Sequence, residues 1–145
     1  MLPPDVPQRL LLATALGAAI GLEREYRQKP AGLRTNILIA LGSAVFTILS
    51  IAIGSGGTTP DRIAAQIVTG IGFLGGGAIL RSGSKIHGMT TAATIWVNAA
   101  VGMAAGAGEF ATATVATGLT LLVLAVLPPI ESYFERRGGL SKHEE

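Results

Sequence analysis

Residues Gly70-Ile71-Gly72-Phe73-Leu74-Gly75 carry the Gly-x-Gly-x-x-Gly spacing that cradles a dinucleotide pyrophosphate. That chemistry needs a strand before the glycines, a helix opening on them and an acid about 20 residues on for the ribose hydroxyl. Between Arg62 and Gly108 there is no Asp or Glu, so the ribose partner is missing and the glycines need another explanation. The densest charged group is Glu23, Arg24, Glu25, Arg27 and Arg34, followed by Thr35 and Asn36. Carboxylates and guanidiniums at this density can clamp two helices or form a site for a partner or ligand, and both readings stay open. No nucleophile and base are paired: His87 borders a loop and reads as solvated, and His143 lies in the tail, so no enzyme is expected. The absence of cysteine removes disulfides and thiolate metal sites.

These groups sit in a chain that is 49% hydrophobic and 14% charged, against about 25% charged in a soluble domain. The charges are bunched between five apolar runs, Val6 to Leu22, Thr35 to Ile53, Ile63 to Leu80, Met89 to Ala105 and Ala111 to Leu127, each 17 to 19 residues long. A helix of that length just crosses a hydrocarbon core of about 30 Å. The first run carries Gln8 and Arg9. Its Ala13-Thr14-Ala15 fits a signal-peptidase site, but a cut there would leave only Leu10 to Leu12 as the apolar region, so the run reads as a retained span. A soluble helical domain would need polar helix faces that these runs lack. The expected fold is all-α: a polytopic membrane domain of about five transmembrane helices over residues 1–130, then a short charged cytoplasmic tail over 131–145.

Nine of the eleven basic residues fall on one side of such a topology (Arg24, Arg27, Lys29, Arg34, Arg81, Lys85, Arg136, Arg137 and Lys142), and Arg9 and Arg62 on the other. Basic loops stay in the cytoplasm, which sets the N-terminus outside. The sequence pI near 9.4 then reflects topology, since no basic stripe interleaved with aromatics points to nucleic acid. Gly54 to Thr58 reads as an external turn, Thr59-Pro60-Asp61 as the start of span three, and Thr90 or Thr91 as a cap of span four. Gly83 and Gly88 bracket a short loop, Pro128-Pro129 ends or kinks span five, and Tyr133 and Phe134 sit at headgroup depth.

The glycines recur as small-x-x-x-small pairs: Gly17 with Gly21, Gly72 with Gly76, and Gly102 with Gly106. Each pair clears one helix face for close approach, the main route to helix association in lipid. Alternatively Gly75-Gly76-Gly77 loosens span three so that freed carbonyls line a path. Gly70, Gly72, Gly75, Gly76, Gln66, Thr90, Thr91 and Asn98 are therefore candidates for helix packing or path lining. Gln66 and Asn98 read as interhelical hydrogen-bond partners or as cavity lining, and Trp96 as a packing residue. Glu23 ends span one and Arg34 begins span two, so a short hairpin would set them face to face as an ion pair.

Three blocks, "GLEREYRQKPAGLRTN" (21–36), "RIAAQIVTGIGFLGGGAIL" (62–80) and "HGMTTAATIWVNAAVG" (87–102), resemble in order and spacing the signature blocks of the MgtC/SapB family of bacterial inner-membrane proteins. The resemblance implies a multi-pass inner-membrane protein linked to growth under magnesium limitation and, in pathogens, to survival inside phagocytes. It does not imply a direct transport activity, since the family is often labelled as transporter yet members have been regarded as regulators, including of the proton-driven ATP synthase. Two departures stand out: Thr90 occupies a position where some well-known members have Asn, and where those members carry a soluble C-terminal regulatory domain only the short charged tail to Glu145 is expected here. A magnesium ion wants octahedral oxygen ligands, usually one or two carboxylates with waters. Glu23 and Glu25 fall inside and Asp61 and Glu109 outside, so no Mg2+ site is identified. An ion path would have to use Asn98, Gln66, Thr69, Thr94 and backbone carbonyls. The expectation is a modulator of another membrane machine in adaptation to low magnesium, with a channel or carrier for Mg2+ or another small solute as the alternative. Its expected partners are the lipid bilayer, a second copy of the chain and another inner-membrane protein.

The basic asymmetry gives a direct test. Single cysteines introduced as Lys29→Cys, Lys85→Cys and Asp61→Cys should react with an impermeant maleimide in intact cells only at position 61. Labelling at 85 but not at 61 would invert the topology.

Overall fold

A segment without water or side-chain partners must satisfy its own backbone N–H and C=O groups, so each apolar run folds as a helix. The computed structural model describes residues 3–54, 61–82 and 85–139. Its helices are α1 (Val6–Tyr26), α2 (Leu33–Gly54), α3 (Asp61–Gly77), α4 (Met89–Ala107) and α5 (Phe110–Gly139). The fold is all-α, as the sequence implies. The fingerprint-like glycines lie in the second half of α3 rather than at a strand-to-helix turn, which is the wrong context for a dinucleotide. The turn expected at 54–58 and the cap at Thr59-Pro60 lie outside the described residues.

Several boundaries differ from the sequence expectation. Span three stops at Gly77, and the following loop carries a small antiparallel hairpin, β1 (Leu80–Ser82) with β2 (Lys85–His87), pairing Leu80 with His87 and Ser82 with Lys85. The N-cap of α4 is Gly88 at φ +88°, with no side-chain cap hydrogen bond, so neither Thr90 nor Thr91 caps it. Gly88 is required twice over: its backbone is left-handed, and a Cβ there would run into the Ala78 carbonyl. Gly108, at φ +86°, ends α4; its N–H reaches the Ala105 carbonyl at 3.1 Å and that of Glu109 the Ala104 carbonyl at 2.9 Å, satisfying the last carbonyls. α5 runs on through Pro128-Pro129 instead of ending there.

α2 lies between α1, α3 and α4, and α5 packs on α1 and α4. The close contacts are glycine contacts. A Cβ on Gly17 would lie 2.8 Å from the Ala40 Cβ and the Asn36 carbonyl, and one on Gly21 would lie 2.7 Å from the Leu33 Cα. From α4, a Cβ on Gly102 would run into the Ala40 carbonyl and one on Gly106 would lie 2.6 Å from the Ala44 carbonyl. Two of the three glycine pairs thus seat α1 and α4 directly on the α2 backbone. The third does not: Cβ atoms at Gly72 and Gly76 would meet nothing within 4 Å, and on that stretch it is Gly75 that approaches α4, 3.5 Å from the Ala92 carbonyl.

The distribution of side chains is inverted relative to a soluble protein. Asn36, Asn98, Arg24, Thr47 and Ser50 are buried, while Leu11, Leu38, Phe46, Phe73, Trp96, Leu119 and Leu122 are exposed. An apolar skin around polar contacts suits lipid as the solvent. Trp96, expected to pack between helices, faces outward. Among the described residues α2 and the 110–134 part of α5 are each long and apolar enough to cross a bilayer.

Because Gly102 abuts backbone that cannot yield, Gly102→Ala should cost about 1–3 kcal/mol and lower the thermal unfolding midpoint in detergent. Gly72→Ala, into open space, should leave it within a degree or two or raise it. Equal midpoints for the two variants would refute this assignment of the packing faces.

Candidate functional site

The last turn of α1 advances 100° per residue, so three consecutive charged side chains reach three different neighbours. Glu23 and Arg27 are one turn apart on the same face, and Arg27 Nε lies 2.7 Å from Glu23 Oε1. From there Arg27 Nη2 donates to the Ala125 carbonyl of α5 at 3.3 Å. Arg24, 4% exposed, crosses to α4, where its Nη2 donates to Thr91 Oγ1 at 2.8 Å. Glu25 turns back to the start of α2 and accepts the Leu33 N–H at 3.1 Å.

The connection between α1 and α2 is held by these groups. Gln28 and Ala31 both have positive φ, 53° and 56°, a conformation costly for residues with a Cβ. Lys29 N–H donates to the Arg24 carbonyl at 2.9 Å, and the Asn36 amide donates to the carbonyls of Ala31 and Gly32. A Cβ on Gly32 would collide with the Glu25 carboxylate, so this glycine lets the acid reach Leu33.

Asn36 is fully buried, as is Asn98 of α4. Asn98 Nδ2 donates to the Asn36 carbonyl at 2.7 Å and to its Oδ1 at 3.1 Å. Thr94 bonds locally, to the Thr90 carbonyl at 2.7 Å. Besides Arg24 Nε, which is buried without a hydrogen-bond partner, two further polar ends of this network are left over. Asn98 Oδ1 is buried without a hydrogen-bond partner, and so are both Glu23 carboxylate oxygens, whose contact with Arg27 has ion-pair distance but not hydrogen-bond alignment.

Arg34 does not join this network. It is exposed, on the side of α2 that faces α3, so the Glu23–Arg34 pair expected from the sequence is replaced by Glu23–Arg27. The reason is geometric: Glu23 looks toward α5, whereas Arg34 and Thr35 open onto a groove of about 720 Å3 between α2 and α3, floored by Ile71 and Ile95. Gln66 and Gly70 line the same groove. Gly72, Gly76 and Thr90 are exposed on other surfaces. The sequence-level cluster therefore divides into a buried half (Glu23, Arg24, Asn36, with Thr91 and Asn98) and a groove half (Arg34, Thr35, with Gln66 and Gly70). The Arg24–Thr91 and Glu25–Leu33 bonds were not foreseen, and tertiary contacts of this kind leave no local signal. The Glu23–Arg27 pair did leave one, its i,i+4 spacing. Among the described residues no three His, Asp or Glu side chains are grouped to hold a metal ion.

Helices sealed by glycine contacts, with polar groups inside and apolar side chains outside, define an all-helical membrane protein. A model of the MgtC family matches residues 10–133, and the chain belongs to that family. It is 48% identical over 131 residues to the Protein MgtC of Brucella abortus, covering 88% of this chain and 55% of the other. To the Protein MgtC of Salmonella typhimurium it is 52% identical over 112 residues, covering 77% and 48%. An uncharacterised protein of Synechocystis is 44% identical over 129 residues, covering 89% and 55%. The chain spans about half the length of the curated relatives it matches. No solved structure matches it.

The uneven solvation of the ion pair sets up an asymmetry. Arg27, whose side chain is 34% exposed, can turn to water, whereas Glu23, at 13%, has no other donor. Arg27→Gln should therefore lower the unfolding midpoint more than Glu23→Gln, and the double variant should regain part of the loss. If the two single variants lose equally and their effects add, the pair is not coupled in this way.

Proposed function

We propose that this chain is a five-span protein of the bacterial inner membrane, N-terminus outside and C-terminus in the cytoplasm, that acts in adaptation to low magnesium by modulating another membrane machine, without catalysing a reaction itself. The family resemblance supplies the physiological setting. The single observation that most favours a modulator over a magnesium carrier is the chemistry of the large groove. It is lined mostly by apolar side chains with Thr35, Ser43 and Gln66 among them, carries no acid among the described residues, and ends on the Arg34 guanidinium, a surface that repels a divalent cation and lacks the carboxylates such an ion usually binds. The interior is equally unsuited to a hydrated ion, since α1 and α4 meet the α2 backbone at Gly17, Gly102 and Gly106 without room for a side chain.

A modulator must present a surface to its target. The open glycines Gly72 and Gly76, beside the exposed Phe73, give α3 a face on which a helix of a second copy or of another inner-membrane protein can approach closely. The virulence role that the resemblance implies for pathogens belongs to the same proposal, as a consequence of survival at low magnesium.

Proteoliposomes holding only this chain should show no Mg2+ flux above empty vesicles, while its expression should restore growth in low magnesium to a strain deleted for its relative. Saturable Mg2+ flux from the purified chain would overturn the modulator reading in favour of a carrier.

A further inference from the structure

The modulator reading uses the groove between α2 and α3 only to argue against a magnesium carrier and assigns it no occupant. Its α2 wall runs from Arg34 to Phe46, twelve steps of 1.5 Å or roughly 18 Å along the helix, close to the about 15 Å of hydrocarbon in one leaflet. The groove is thus about one leaflet deep.

Its polar end is chemically one-sided. Arg34 is exposed and makes no ion pair or hydrogen bond with any described residue, in contrast to Arg9, Arg24 and Arg27. Thr35 adds a hydroxyl at the same end, and among the described residues no carboxylate lines the groove. A guanidinium and a hydroxyl at one end of a groove can both bind a phosphate, and the lack of an acid among the described lining residues leaves the ammonium of a zwitterionic headgroup without a counterpart there.

We propose that the groove binds one anionic phospholipid, its phosphodiester on Arg34 and Thr35 and an acyl chain along the apolar wall toward Phe46. Gln66, the polar side chain on the α3 wall, separates this occupant from a protein one. An acyl chain makes no use of its amide, whereas a helix from a second copy would hydrogen-bond it. The binding site is independent of whether the chain modulates a partner or carries an ion.

The test uses the full chain in detergent, equilibrated with vesicles of equimolar dioleoyl phosphatidylglycerol and dioleoyl phosphatidylcholine, with retained lipid counted by native mass spectrometry. One phosphatidylglycerol per protomer should be retained with about fivefold preference, the effect of one basic residue at a membrane surface. Arg34→Gln should bring the preference close to one. Gly70→Leu, where a side chain enters open space, should fill the groove and lower retention of both lipids without lowering the unfolding midpoint, and Gln66→Leu should leave retention intact. No lipid preference in the unaltered chain, retention unaffected by Gly70→Leu, or a lipid-free dimer that Gly70→Leu or Gln66→Leu dissociates would each overturn the proposal.

Discussion

The structure turns on the backbone of α2 at Ala40. Gly17 of α1 meets its Cβ and Gly102 of α4 its carbonyl, so one residue is pressed from two helices at distances no side chain would allow. In lipid no gain from burying apolar surface holds helices together, and their attraction must come from dispersion over closely matched faces. Removing the side chains at 17, 21, 102 and 106 brings two helices onto a third along a full turn each, with Ala40 and Ala44 as the complementary small residues. The cost is intolerance: each of those positions admits nothing larger than hydrogen.

Such faces fix how near the helices come but leave their register free to slide, because one small residue resembles another. The polar contacts remove that freedom. Asn98 binds both the main chain and the side chain of Asn36, and Arg24 binds Thr91 about two turns away on the same side of α4. With water excluded, slipping α4 by a turn would strand several donors at once. The last turn of α1 extends the same logic to α5 through Arg27 and to the start of α2 through Glu25. The charges that sequence reasoning reads as one cluster are better described as three separate ties that radiate from one helical turn.

How much of this was legible in the sequence depends on the range of the signal. The five helices were, because bunched charge and apolar run length are properties of the chain itself, and α1, α2 and α4 begin or end within a few residues of the expected positions. A Gly-x-x-x-Gly pair, however, announces a helix face and not the helix that meets it. All three pairs look alike, yet Gly17/Gly21 and Gly102/Gly106 are engaged within the chain and Gly72/Gly76 are open. The hairpin at 80–87 was missed since three-residue strands carry no periodicity, and the cap at Gly88 since its left-handed backbone competes with the neighbouring threonines. The polar site was legible as a list of residues. Its partition was not, because which side of α2 Arg34 faces depends on where α3 docks.

That partition bears on what kind of device the protein is. The buried half has structural duties: Arg24, Asn36 and Asn98 each tie two elements together, and a group committed in that way cannot release an ion or a proton without loosening a helix. The groove half is the reverse. Arg34, Thr35 and Gln66 are held by no described neighbour, and they line an outer groove rather than a pore. A transporter needs its mobile polar groups between the helices and its inert surface outside. Here the interior helices are held by polar ties and the uncommitted chemistry lies on the outer groove, which is the arrangement that the proposed modulator role calls for.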